Sequence, residues 1–227
     1  AGLNPAGSRI LIRGLTITKS ANFDGITFLK GKARGTVIEW CTLVNNFDEG
    51  VGVSGGARGV VVANCRFEGN GTPASNGRGM LVTSDSSATI VNSVVRNCLR
   101  GLNANSPNAF FDIRNCLIEK NMEYGIAING PACNVVDCVV RGNKEGIRLK
   151  EGKMYLKGTS APFSAKRPNA KSPLAAADTP FPDWIDLKTP SSPEEVGAPS
   201  YPAAIKFGDS HKFYLDLRPQ NLRRTSK

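Results

Sequence analysis

The chain has 227 residues, 40 % of them hydrophobic, and carries 29 Lys and Arg against 19 Asp and Glu for a net charge of +10. That length supports one sizeable core in one or two domains, and no apolar run reaches the ~18–20 residues of a membrane span. A single histidine, His211, excludes mechanisms built on paired histidines or multi-histidine metal ligation.

The first residues, Ala1-Gly2-Leu3-Asn4-Pro5, have neither the basic nor the apolar region of a signal peptide and no initiator Met, so a processed form or a piece of a larger protein is expected. An apolar run, Ile10-Leu11-Ile12, follows almost at once, with no amphipathic segment before it. An open repeat end needs a cap, so upstream residues or another chain are expected to cover it.

From there the sequence repeats. Leu15, Cys41, Cys65, Ser93, Cys116 and Cys138 stand 26, 24, 28, 23 and 22 residues apart. Two residues after each anchor lies an apolar residue: Ile17, Leu43, Phe67, Val95, Ile118 and Val140. Five residues after each lie Ser20, Asn46, Asn70, Cys98, Asn121 and Asn143. A second strand then opens with glycine and an apolar residue in every copy, from Gly25-Ile26 to Gly146-Ile147. Both strands alternate with period two, which buries one face of each. A copy of this size cannot bury its apolar face alone, so the copies are expected to stack as a solenoid. Six coils at ~4.8 Å per strand would make a prism roughly 29 Å long. The Asn column is expected to serve turns with left-handed backbone and to hydrogen-bond from coil to coil.

Composition divides the chain at residue 150. Residues 1–150 hold 20 of the 24 Gly and four Pro, whereas residues 151–227 hold the other ten Pro and half of the aromatic residues. Two regions are expected: a repeat domain over 1–150, and a Pro-rich extended segment over 151–227 that packs on it or on a partner. Phe213-Tyr214-Leu215-Asp216-Leu217 alternates as a late strand would. The charge excess is spread over both regions, +6 and +4, without a polybasic arm.

The pattern anchor-x-apolar-x-x-Asn followed by Gly-apolar resembles the right-handed parallel β-helix superfamily of pectate lyases and related carbohydrate-active proteins, over residues 9–150. The resemblance implies an all-β right-handed parallel β-helix of about six coils. For function it implies lyases, hydrolases, epimerases, tailspikes or non-catalytic scaffolds, because one fold hosts many sites. In lyases of this kind an Arg or Lys acts as base while acidic residues hold calcium against the substrate carboxylate. Calcium takes several oxygen ligands on one surface. Here the carboxylates Asp24, Asp48, Glu49, Asp85, Asp112, Glu123, Asp137 and Glu145 read as scattered, with Arg78, Arg100 and Tyr124 interrupting the column that precedes the glycine. No metal site, no cofactor and no catalytic residue is therefore assigned, calcium entering only if the protein is a lyase.

The basic loops are more suggestive. Gly31-Lys32-Ala33-Arg34-Gly35 recurs one coil later as Gly55-Gly56-Ala57-Arg58-Gly59. Stacking would bring Arg34 and Arg58 together with Lys30 and Lys32 beside them, an arrangement that costs energy unless an anion offsets it. The insert Gly69–Gly79 adds Arg78, and Trp40 is expected to point outward, where it could stack on a sugar or lie under the C-terminal segment. Lys30, Lys32, Arg34, Arg58, Arg78 and Trp40 are thus the expected anion- or glycan-binding residues.

Glu68, Arg96, Glu119 and Arg141 alternate in sign on successive coils, as a cross-strand charge ladder does. The six cysteines contain no C-x-x-C pair, so zinc and a disulfide framework are not indicated; four sit in the anchor column as small buried fillers. Cys41 over Cys65 and Cys116 over Cys138 could each bridge, though reduced thiols are the preferred reading.

The expected function is a non-catalytic β-helix module for glycan binding or structural assembly, extracellular or on the cell surface, within a larger protein or complex. Its expected partner is an acidic polysaccharide or a neighbouring protein chain. The alternative is a polysaccharide lyase-like enzyme acting on an acidic polysaccharide. Nucleic acid is the least supported ligand, since no aromatic residues interleave the basic loops.

Overall fold

A computed structural model describes residues 2–5, 7–28, 33–163, 168–174 and 185–197. Period-two alternation and recurring turn residues wind these into a parallel β-helix of about six coils. Coil one holds β1 (Leu11–Arg13), β2 (Thr16–Thr18) and β3 (Ile26–Phe28). Coil two holds β4 (Val37–Glu39), β5 (Thr42–Val44) and β6 (Val51–Val53), and coil three β7 (Val60–Ala63), β8 (Arg66–Glu68) and β9 (Arg78–Thr83). Coil four holds β10 (Ser87–Val91), β11 (Val94–Arg96) and β12 (Arg100–Asn105). The last coils comprise β13 (Phe110–Arg114), β14 (Leu117–Glu119), β15 (Tyr124–Val136), β16 (Val139–Arg141) and β17 (Glu145–Lys157).

Each coil therefore contributes three strands, one more than the anchor and glycine columns indicated. The first face stacks β1-β4-β7-β10-β13, the second β2-β5-β8-β11-β14-β16 and the third β3-β6-β9-β12. β15 is long enough to pair with β12 through its first half and with β13 through its second, which joins the first and third faces into one sheet. All of these pairings are parallel and in register. On the first face Ile12, Ile38, Val62, Ile90, Ile113 and Val135 form one inward column. Inward columns on all three faces meet in a single continuous core that includes Phe28, Phe67 and Phe111, each fully buried. Burying a side chain of that size contributes ~1.5–3 kcal/mol.

The corners explain the polar columns. Backbone φ is positive just before each anchor, at Gly14, Trp40, Asn64, Asn92, Asn115 and Asp137, and again after β2, β5, β8, β11, β14 and β16, at Lys19, Asn45, Gly69, Asn97, Lys120 and Gly142. The left-handed role thus falls one residue before the Asn column rather than on it. The column itself is a buried hydrogen-bond ladder. Asn46 Nδ2 donates to Asn70 Oδ1 at 2.9 Å, and Asn70 Nδ2 to the Leu43 carbonyl at 2.7 Å. Farther along, Asn121 Nδ2 donates to Asn143 Oδ1 at 2.9 Å. Cys98 interrupts the side-chain ladder, but its N–H donates to Asn121 Oδ1 at 3.0 Å, so the connection between coils persists.

Stacking continues past Lys150. β17 runs to Lys157 and pairs with β15, and isolated parallel bridges reach Ser160, Phe163 and Ala170. Leu3 bridges Ile26 at the other end and packs against the core. Residues 185–197 lie along the outer corner. Ile185 packs on Val61, Ala63 and Val91, and Val196 on Val94 and Leu117. Asn92 clamps this segment by accepting from Lys188 N and donating to Asp186 O, at 2.9 and 2.6 Å. Asn134 holds Leu174 in the same two-point way. The expected strand at 213–217 lies outside the described residues. All six cysteines are free and buried, and burial pushes the Cys98 thiol up to about 12. Among the described residues no helix is long and apolar enough to cross a membrane.

Candidate functional site: a basic corner and an acidic cluster

The corner that leads from the third face of one coil to the first face of the next carries the repeated basic loop. Ala33 and Ala57 turn inward and are buried, which forces the residues after them outward. Arg34 and Arg58 are parallel bridge partners on adjacent coils, as the loop repeat implies. Arg9 joins them from the preceding coil: its N–H donates to the Arg34 carbonyl at 2.7 Å, and its stem passes over Gly35. Gly35 N–H in turn donates to the Arg58 carbonyl at 3.0 Å, so Arg34 and Arg58 are in register, whereas Arg9 is level with Gly35 and Ser8 is the bridge partner of Arg34. Lys30 and Lys32 lie outside the described residues.

What distinguishes this corner among the described residues is its lack of counter-charge. Arg13, Arg66, Arg78, Arg96, Arg100, Arg114, Arg141 and Arg148 each lie within 4.0 Å of a carboxylate. Among the described residues Arg9, Arg34 and Arg58 form no such pair, and they stand on successive coils of one edge. Like charges held in register repel, so the corner is an electrostatic cost that an anion would relieve.

Arg78 does not belong to this group. It opens β9 on the third face, where its Nη1 donates to Glu49 Oε1 at 2.6 Å and its Nε to Asn103 Oδ1 at 3.1 Å. Nor does the insert reach the basic corner. Ser75 Oγ donates to the Phe47 carbonyl at 2.6 Å, and Asn76 accepts from Arg100 through its carbonyl, so the insert folds over the corner between the second and third faces. Trp40 is half-buried in the left-handed corner column between the first and second faces, a different edge of the prism from Arg34 and Arg58.

The carboxylates are not all scattered, contrary to the sequence reading. Asp24, Asp48 and Glu49 present oxygens within 4.8 Å of one another beside Arg78. Asp24 and Glu49 are in register on adjacent coils, and Asp48 swings into the same place from the turn before β6. Asp24 accepts from Glu49 N at 3.2 Å and from Thr27 Oγ1 at 2.8 Å. Glu49 is 4 % exposed, and its carboxyl is pushed up to about 9, chiefly by burial and then by Asp24 and Asp48, with Arg78 opposing. Burial also raises Asp48. Burial and the neighbouring carboxylates favour the protonated form of Glu49, against the pull of Arg78.

Both Asp24 oxygens and one Glu49 oxygen accept from protein donors, Asp48 Oδ1 is buried without a partner, and the Arg78 guanidinium lies beside them. Calcium takes 6–8 oxygens, so these three side chains alone do not complete its shell. Asp24 and Glu49 share the position before a glycine, but reading Arg78, Arg100 and Tyr124 as interruptions of that column hid the cluster.

Elsewhere on the surface charges are paired structurally. Arg96 meets Glu68 at 3.6 Å and Arg141 meets Glu119 at 3.0 Å, each pair directly opposite on neighbouring strands, which is the expected charge ladder. Tyr124 lies between the guanidinium groups of Arg100 and Arg148, at 5.9 and 5.3 Å from its ring centre.

Comparison with known families returns a match between residues 1–160 and the model described as the right handed beta helix region. No curated protein matches the chain.

Proposed function

The chain belongs to the right-handed β-helix family, and from that premise we propose that it is a non-catalytic module that binds an acidic glycan, extracellular or on the cell surface, through the Arg34–Arg58 corner. One observation carries this reading: Arg9, Arg34 and Arg58 stand on consecutive coils without a carboxylate among the described residues, whereas the other arginines described there are matched. Guanidinium forks recognise carboxylate and sulfate groups in bidentate fashion, which suits an anionic sugar. Trp40 and Arg78 are left out of the site because they stand elsewhere on the prism.

The test is binding to immobilised polyuronides and sulfated glycans by the wild type and by the double variant Arg34→Ala/Arg58→Ala. Salt-sensitive retention that the double variant loses, with unchanged thermal melting, is the expected result. Equal retention by both proteins would return the corner to a solvated turn. The same panel, followed by ultraviolet absorbance for an unsaturated product, separates binding from a polysaccharide lyase: a steady rise would replace this reading with the enzymatic one.

A further inference from the structure

We infer that the corner between the first and second faces is a peptide-binding groove, which residues 185–197 fill in cis and the same segment of a second copy of this chain fills in trans. This corner is a different edge of the prism from Arg34 and Arg58, so the inference does not depend on glycan binding. The groove reads backbone more than side chains. Asn92 Oδ1 accepts from Lys188 N at 2.9 Å and Asn92 Nδ2 donates to the Asp186 carbonyl at 2.6 Å, so one side chain takes both main-chain groups that flank Leu187. One coil on, Asn115 Nδ2 donates to Thr189 Oγ1 at 3.2 Å, and that hydroxyl donates to the Asp137 carbonyl at 2.8 Å. Toward the other end of the prism, the Asn64 carbonyl accepts from Gly197 N at 2.9 Å. Asn64, Asn92, Asn115 and Asp137 are all corner residues with positive φ, so the stacked coils set these contacts out along one line.

Few side chains of the segment are read. Ile185 packs on Val61, Ala63 and Val91, Val196 packs on Val94 and Leu117, and both are buried. Gly197 lies so close to the second face that a Cβ would stand 2.6 Å from Thr42 Oγ1 and 3.0 Å from Arg66 Cβ. Between these anchors Leu187 and Lys188 are exposed. The segment also holds its own turn: Lys188 Nζ meets Glu195 Oε2 at 3.2 Å, and the Ser191 hydroxyl donates to Glu195. It therefore docks as a shaped unit, through contacts that any copy presents identically. The tether permits the exchange. Leu174 is held by Asn134 on β15 and Ile185 sits on β7 and β10, so the two seats are about 10–14 Å apart along the axis. The chain between them can span about 36 Å when extended. That slack lets the segment reach a neighbouring prism, the exchange of identical elements that makes dimers at low cost. In dilute solution the tethered segment wins through its high effective concentration, and rising chain concentration shifts the balance to the second copy.

The experiment mixes two full-length variants. Ile185→Asp/Gly197→Ala spoils the segment and leaves its groove open. Asn92→Gly/Asn115→Gly spoils the groove and frees the segment, and glycine keeps the left-handed backbone at both corners. Each variant alone should sediment as a monomer, and the mixture should form a heterodimer whose share grows with concentration. A labelled peptide of residues 185–197 should bind the first variant saturably in fluorescence anisotropy. Adding Asn92→Gly/Asn115→Gly to that variant should weaken peptide binding about 10- to 100-fold, through the loss of the asparagine hydrogen bonds. If Ile185→Asp lowers the unfolding midpoint of the β-helix, Gly197→Ala alone takes its place. No peptide binding by the first variant, or equal binding with and without the two asparagines, would overturn the groove. Peptide binding by the first variant together with a mixture that stays monomeric at every concentration would overturn the second copy as its occupant.

Discussion

Replacing Glu49 by glutamine removes a titrating proton from the acidic cluster while keeping the carbonyl oxygen that Arg78 uses. The Glu49 carboxyl titrates near its ordinary 4.5 in the unfolded chain but is held up to about 9 in the fold. Between those values the native state binds the extra proton, so wild-type stability is greatest at acid pH and falls as pH rises. One proton corresponds to a slope of up to about 1.4 kcal/mol per pH unit. Glutamine is neutral throughout and can still donate toward Asp24, so the variant should lose most of that slope and be more stable than wild type at pH 8. The assay is urea denaturation of both proteins from about pH 5 to 9, read as the difference in unfolding free energy. If the ion pair with Arg78 dominated instead, wild type would gain stability with rising pH and the variant would be the weaker protein at pH 8. That outcome would refute the assignment of a resident proton to the cluster.

Two further outcomes follow from the interior. Asn70→Ala removes acceptors for the Asn46 amide and backbone N–H and a donor to the Leu43 carbonyl, in a fully buried position. Asn46 Nδ2 keeps its bond to the Ile17 carbonyl, so two groups are left unpaired; at ~1–3 kcal/mol each the cost should be about 2–6 kcal/mol in denaturant unfolding, and a change under ~1 kcal/mol would show that the ladder contributes little. All six cysteines are buried, so a thiol reagent at pH 8 should label none in the native protein and six after unfolding, rapid native labelling being the contrary result.

The cluster and the corner differ in how visible they are in the chain. Arg34 and Arg58 occupy equivalent places in adjacent repeats, and a solenoid turns equivalent places into spatial neighbours, so their bridge follows once the period is found. Arg9 belongs to a first coil whose loop does not share that motif, and only hydrogen bonding to Arg34 places it there. Asp48 is one residue out of the column of Asp24 and Glu49, and the backbone path of the turn before β6 brings its oxygen to theirs. Arg78 reads as one more basic loop residue until its position on β9, opposite Glu49, shows it paired.

By itself the sequence determined the parallel β-helix, the inward columns and the coil-to-coil asparagine bonds, because each rests on a period that needs no distant partner to be recognised. The third strand of each coil was also written in it, in the apolar column from Ile12 to Val135. Only the tertiary structure decided which charges are matched and which are not. Pairing depends on distances across coils and around corners, and a shift of one residue at a turn moves a charged group from one edge of the prism to another.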